Sequence, residues 1–142
     1  MLAQADKARA RGDWLTPPGE SAWDRLREAR ALSPADPAVQ RALQAMLPAA
    51  RDCNATALRD NDLGLAQVCL EAWRQLAPGD AASSLAQRRL AERWLAIADE
   101  RLSAGEVGAA ARALARARTL DAGVPGLQAL QQRWERAGSG AD

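Results

Sequence analysis

Small and apolar residues recur along the chain in a fixed order, and the order repeats every 44 positions. Ala22, Ala66 and Ala110 fall in register, then Leu26, Leu70 and Leu114, then Leu32, Leu76 and Leu120. Pro34 and Pro78 follow two residues after the last leucine, where the third repeat carries Ala122. Steps of four keep side chains on one face of an α-helix. A period of this length marks stacked helical pairs, because a single helical hairpin cannot bury its own apolar face. The alanines let two helices approach closely, the leucine one turn on fills the space, and the proline ends the helix.

The punctuation between these positions predicts the elements. A first helix is expected over residues 2–11, stopped by Gly12-Asp13. Residues 14–19 contain Pro17-Pro18 and read as an extended loop. Glu20 or Ser21 opens a second helix that ends near Leu32, and in 33–37 Asp36 caps the next helix with Pro37 at its first position. That helix carries Val39, Leu43, Met46 and Leu47 and then meets Pro48. Proline removes a backbone bond and clashes one turn back, so a kink or break is expected there, costing about 3 kcal/mol if unrelieved. Helix resumes over 49–60, Asn61-Asp62 turns the chain, and further helices follow over 63–76, 81–103, 106–120 and 126–137. The last carries Leu127, Leu130 and Trp134 on one face, and residues 138–142 read as a flexible tail.

Composition fixes the class. Apolar residues make up 48% of the 142 positions, mostly Ala and Leu, with no Phe or Tyr. Ala and Leu are the strongest helix formers, so the chain is expected to be all-α and long enough to bury a core as one domain over 1–137. A net charge of +1 gives no bulk electrostatic case for nucleic acid or an anionic membrane. Eighteen of the 19 basic residues are Arg, with Lys7 the exception, a bias that a GC-rich bacterial genome explains. No stretch approaches the roughly 20 apolar residues that span a bilayer, so this segment is not expected to cross a membrane. Residues 1–7 lack the basic start and apolar run of a signal peptide, and the abrupt first helix suggests a piece of a larger protein.

The spacing Ala, Leu at +4, a third residue at +7 and Pro at +12 resembles the second helix of a tetratricopeptide repeat. The sets are Ala22, Leu26, Ala29, Pro34; Ala66, Leu70, Trp73, Pro78; and Ala110, Leu114, Ala117 without the proline. The turn position five before the alanine is Asn61 in the second repeat and Gly105 in the third, whereas an insertion over 14–19 displaces it in the first. The longer period places about ten extra residues in the first helix of each pair, and the Trp, Leu-Gly and Tyr marks of a standard first helix are absent. The resemblance implies a right-handed array of about three antiparallel helical hairpins with a C-terminal capping helix. A second resemblance rests on Gly12-x-x-Leu15-Thr16-x-Pro18-Gly19-Glu20-Ser21-Ala22 and the turn Leu32-Ser33-Pro34-x-Asp36-Pro37. This looks like helical modules in the periplasmic parts of proteobacterial TonB-type energy transducers and membrane-anchored Ser/Thr kinases. It implies an extracytoplasmic interaction or sensing domain, with a cytoplasmic setting as the alternative.

Candidate chemistry is sparse. The chain has no His, which removes the commonest general base and metal ligand. Its two cysteines form no Cys-x-x-Cys, and no glycine loop suits a phosphate, so neither catalysis, metal nor cofactor is expected. Cys53 and Cys69 each lie eight residues from Asn61 on opposite arms of a proposed hairpin, at the same height. They make a disulfide candidate in an oxidising compartment and two buried thiols in a reducing one. Among the five tryptophans, Trp73 is expected in the core, Trp94 and Trp134 between hairpins, and Trp23 half exposed. Trp14 either plugs the end of the array or offers an exposed patch.

In a tetratricopeptide-like stack the first helices line the concave wall. That geometry implies exposed positions near Asp6 and Arg9, Arg51 and Arg59, and Glu92 and Asp99, with Arg51 and Arg59 facing a peptide carboxylate. The Arg88, Arg89, Arg93, Arg112, Arg116 and Arg118 set is interspersed with acids and reads as ordinary helix ion pairing. The expectation is a non-catalytic scaffold for a protein or peptide partner, meeting it through Arg51, Arg59, Glu92, Asp99 and Trp14. The alternatives are an extracytoplasmic ligand sensor and a structural spacer or self-association module.

Overall fold

The computed structural model describes residues 2–140, and every regular element among them is an α-helix. In chain order these are α1 (Leu2–Ala10), α2 (Ala22–Leu32), α3 (Pro37–Ala45), α4 (Leu47–Arg59), α5 (Leu63–Leu76), α6 (Ala81–Ser103), α7 (Val107–Leu120) and α8 (Leu127–Gly138). Local chemistry sets most boundaries. The Ser21 hydroxyl accepts from the Asp24 N–H, Asp36 from the Ala38 N–H beside Pro37, and Asp62 from the Leu65 N–H, each satisfying a donor that the first helical turn leaves orphaned.

Three helix ends share one closing device. Gly12, Asn61 and Gly105 adopt φ of +82°, +57° and +79°. The next residue then donates its N–H five positions back: Asp13 to Ala8, Asp62 to Ala57 and Glu106 to Arg101, each at 2.8 Å. This is the left-handed C-terminal cap that glycine and asparagine tolerate best. The device aligns α1 with the last nine residues of α6. Leu2-Ala3-Gln4-Ala5-Asp6 then aligns in sequence with Leu95-Ala96-Ile97-Ala98-Asp99, identical at all but Gln4 and Ile97.

Pro48 ends no helix. The chain breaks two residues earlier, at Met46, and α4 begins at Leu47 rather than at the expected 49. Proline thus occupies the first turn, where its missing N–H has no partner to lose. Residues 37–59 form α3 and α4, while the repeat-equivalent residues 81–103 form the single helix α6. At the C-terminal end α8 starts after left-handed Gly126 and runs through Gly138, with Ser139 as its cap. The expected tail therefore begins in helix, and its residues 141–142 lie outside the described residues.

Packing groups the chain into two compact units, Met1–Ser83 and Ser84–Asp142. In the first, α1 packs on α2, α2 on α3, α3 on α4 and α4 on α5. Ala22 and Ala66 are fully buried on these seams, with Leu26, Met46, Ala50 and Leu70 filling the space around them. Each buried leucine contributes about 1.5–3 kcal/mol, so a core of alanines and leucines holds these helices without a large aromatic cluster. Trp23, expected half exposed, is only 5% exposed, and its backbone N–H donates to the Trp14 carbonyl, tying the start of α2 to the loop. In the second unit Ala91, Leu95 and Ala98 of α6 pack with Ala113, Leu114 and Ala117 of α7 and with Leu127 and Leu130 of α8. Trp94 and Trp134 are partly buried against that cluster.

Candidate functional site

In the first unit, the loop after α1 folds back along α4. The Ala22 and Trp23 N–H groups donate to the Asp13 and Trp14 carbonyls at 2.8 and 2.9 Å, closing the loop at its base. Its far end is organised by Asp24, whose carboxylate accepts the Gly19 N–H at 2.8 Å, the Ser21 hydroxyl at 2.7 Å and Arg27 at 2.8 Å. Partial burial raises the Asp24 pKa, but the bonds from Ser21, Arg27 and Gly19 outweigh it and hold the carboxyl below 3.8.

Between this loop and α4 lies an open cleft of ≈ 630 Å³. Leu15, Pro48, Ala49 and Leu65 form its apolar wall, together with part of Trp14. Asp52, Asp60 and Asp62 supply its carboxylates, and no Lys or Arg is among the lining residues. Asp62 is committed to capping α5. Asp52 and Asp60 are exposed, and neither forms an ion pair among the described residues. Trp14 is half-buried, neither sealed in nor fully open, and the Arg9 guanidinium lies over its ring at 5.3 Å.

The back of the cleft is braced. Cys53 lines it and is bonded to fully buried Cys69, with Cα atoms 5.8 Å apart. Beside this bridge, Asn54 is 4% exposed and donates its Nδ2 to the Ala66 carbonyl at 3.0 Å. Both links join antiparallel α4 and α5. Asn54 stands where the closing-turn alignment puts Ala5 in α1 and Ala98 in α6, so a departure from alanine was the signal for it in the sequence.

The five residues expected to meet a partner do not converge. Arg51 reaches Asp80 at 2.9 Å and lies over the Trp73 ring at 5.6 Å, and the Trp73 N–H donates to the same carboxylate oxygen. The Trp73 bond first, then Arg51 and the Ala82 N–H, hold Asp80 below its ordinary pKa. Arg51 is therefore engaged within the chain. Arg59 is exposed and donates to the Thr56 hydroxyl at the margin of the cleft. Glu92 and Asp99 belong to the second unit, where Asp99 pairs with Arg133 at 2.7 Å and ties α6 to α8. Of the five, Trp14 alone lines the cleft. Sequence reasoning missed Asp52 and Asp60, whose significance depends on the path of the loop.

Among the described residues no group of three or more His, Cys, Asp or Glu is arranged to hold a metal ion, and no helix is long and apolar enough to cross a membrane. Comparison with models of known families, with curated proteins and with solved structures gives no match.

Proposed function

We propose that this chain is a non-catalytic binding module, a tetratricopeptide-like array of helical hairpins that holds an extended, basic segment of a protein partner. The observation that carries the reading is the cleft beside Trp14. It offers apolar side chains together with the carboxylates of Asp52 and Asp60, which are unpaired among the described residues, and no cation is in the lining. An extended peptide carrying both apolar and Lys or Arg side chains matches that lining, because its apolar groups meet Leu15, Pro48, Ala49 and Leu65 while its cations neutralise the acids. The earlier expectation of a carboxylate docking on Arg51 is set aside, since Asp80 already takes that guanidinium.

The test is calorimetric titration with a capped peptide of alternating Leu and Lys at low and high salt. Binding at low salt that weakens with added salt, and weakens at least about tenfold in Asp52→Lys/Asp60→Lys, is the expected result. Equal affinity in the variant, or no binding to the natural chain, overturns the reading.

A second reading concerns setting. The Cys53–Cys69 bridge favours an oxidising, extracytoplasmic compartment, in line with the sensing-module alternative. Labelling the protein in its own cells with a membrane-impermeant thiol reagent, before and after reduction, tests this. Reaction only after permeabilisation would place the chain inside.

A further inference from the structure

The disulfide that braces the cleft beside Trp14 has one accessible end. On α4 the lining residues Pro48, Ala49, Asp52, Cys53, Thr56 and Asp60 recur at spacings of three and four, a single stripe of the helix. Cys53 therefore stands on the face turned to the cleft, and it is half-buried. Its partner Cys69, on α5, is 0% exposed. A nucleophile from solvent meets the bond from the Cys53 side and cannot reach the Cys69 sulfur while the chain is folded.

The cleft sets a charge requirement on that nucleophile. Its lining carries Asp52, Asp60 and Asp62, whereas Arg9, over the Trp14 ring, and Arg59, on the Thr56 hydroxyl, stand outside the lining. Attack on a disulfide needs a thiolate, which brings negative charge into that acidic space. A thiolate whose other end is an ammonium enters as a zwitterion, and its cation meets the carboxylates. A thiolate that carries its own carboxylate enters as a dianion and is repelled. The volume of ≈ 630 Å³ falls within the range of small-molecule sites, about 300–1,000 Å³, so a compact thiol has room.

We infer that the cleft is a thiol-exchange site, at which the Cys53 sulfur takes up an aminothiol, a small thiol whose second group is a cation. The aminothiolate forms a bond to the Cys53 sulfur, the Cys53–Cys69 bond breaks, and the electron pair leaves on Cys69, which takes a proton from water. The product is a mixed disulfide in the cleft and a buried thiol on α5. A second aminothiolate that attacks the sulfur of the bound one releases Cys53 as a thiol, so the protein is reduced and the aminothiol is oxidised to its own disulfide. The Asn54 bond to the Ala66 carbonyl also joins α4 to α5, so one tie between these helices persists while the bridge is open. The inference uses the acidity of the cleft but not its occupation by a peptide, and its test is separate from peptide binding.

The experiment follows exchange of the folded, oxidised chain with cysteamine, 2-mercaptoethanol and 3-mercaptopropionate at equal thiolate concentration. Samples are quenched in acid and the adduct is located by peptide mass. Each rate is divided by the rate of the same thiol with an unstructured reference disulfide. The first adduct should lie on Cys53, and at low salt the corrected rate should fall at least about tenfold from cysteamine to mercaptopropionate. Added salt, and separately Asp52→Asn/Asp60→Asn, should each bring the three rates to within about threefold of one another. Urea below the unfolding transition should leave the cysteamine rate unchanged. A first adduct on Cys69, equal rates for the three thiols, or a charge order that persists in the variant overturns the proposal. So does an absence of reaction, or a rate that climbs with urea as global unfolding does, because exchange would then need the unfolded chain.

Discussion

The Trp73 indole N–H donates to the Asp80 carboxylate at 3.0 Å, joining α5 to the turn that follows it. The same oxygen receives Arg51 from α4 at 2.9 Å, so one acceptor links three segments. Asp80 also takes the Ala82 N–H at 3.0 Å through its other oxygen, which caps the next helix. Removing the acceptor leaves an indole donor and a guanidinium without their partner. Asp80→Ala is expected to lower the melting temperature by several degrees, and Trp73→Phe to lower it by less. Arg51→Glu sets a carboxylate against Asp80 and should also destabilise, whereas Arg59→Glu should change the melting temperature by less than about two degrees. Thermal melts of the four variants check the order, and an Arg51→Glu variant as stable as Arg59→Glu contradicts it.

Asp24 and Asp80 give the fold an acid-sensitive component. Both carboxyls lie below 3.8 in the folded chain, while the unfolded chain titrates near that value. Folded pKa values below the unfolded ones mean that the unfolded chain binds protons first as pH falls. Their contribution is fully present above about pH 5 and is lost progressively as pH drops through 3.8 toward the folded values. Urea titrations from pH 6 to pH 2.5 should show a stability slope that Asp24→Asn and Asp80→Asn each flatten. An unchanged slope in both variants rules out these groups as its source.

The Cys53–Cys69 bridge closes a loop with a sequence separation of 16, for which the chain-entropy estimate is about 3 kcal/mol. Reduction should lower the melting temperature markedly without changing helix content at 20 °C, read by circular dichroism. Intact mass before and after reduction and alkylation should reveal two thiols only in the reduced sample. Two alkylatable thiols in untreated, air-exposed protein would show that the bridge does not form.

Asn54 is a polar side chain on a seam that uses alanine elsewhere. Its bond to the Ala66 carbonyl is one that this carbonyl can accept in addition to its helical bond. Asn54→Ala reproduces the residue of α1 and α6 and should cost about 1 kcal/mol. Asn54→Leu keeps the branching but removes the donor and adds volume to a tight seam, and should cost more, about 1–3 kcal/mol. Denaturant melts that rank Leu above Ala in stability would refute this account.

The all-helical class was legible because its determinants are local. Asp36-Pro37, Asn61-Asp62 and Gly105 each punctuate the chain within a few residues of the helix they start or stop. The break near Pro48 was legible too, but its position was not. The chain yields at Met46 so that proline falls in a first turn. The candidate site was less readable for a physical reason. Asp52 and Asp60 become the rim of a cleft only because the Asp13 and Trp14 carbonyls bind the Ala22 and Trp23 amides and fold the loop back along α4. Arg51 looked free because its partner, Asp80, lies 29 residues away, beyond any helical spacing. The alignment of α1 with α6 was masked by the loop insertion, which shifts α1 out of the 44-residue phase that α2 obeys.

Trp73 and Ala117 occupy equivalent positions one repeat apart and are filled by different chemistry. A backbone frame that accepts a salt-linked indole at Trp73 in one repeat and a small alanine at Ala117, among leucines, in the next is indifferent to the chemistry of its filling. Substitutions there can accumulate without disturbing the neighbouring helix ends, whose capping geometry is held by Asn61 and Gly105. Divergence of this kind erases residue identity while Asn61 and Gly105 keep the 44-residue step, so kin of this protein are better sought by that distance than by matched side chains.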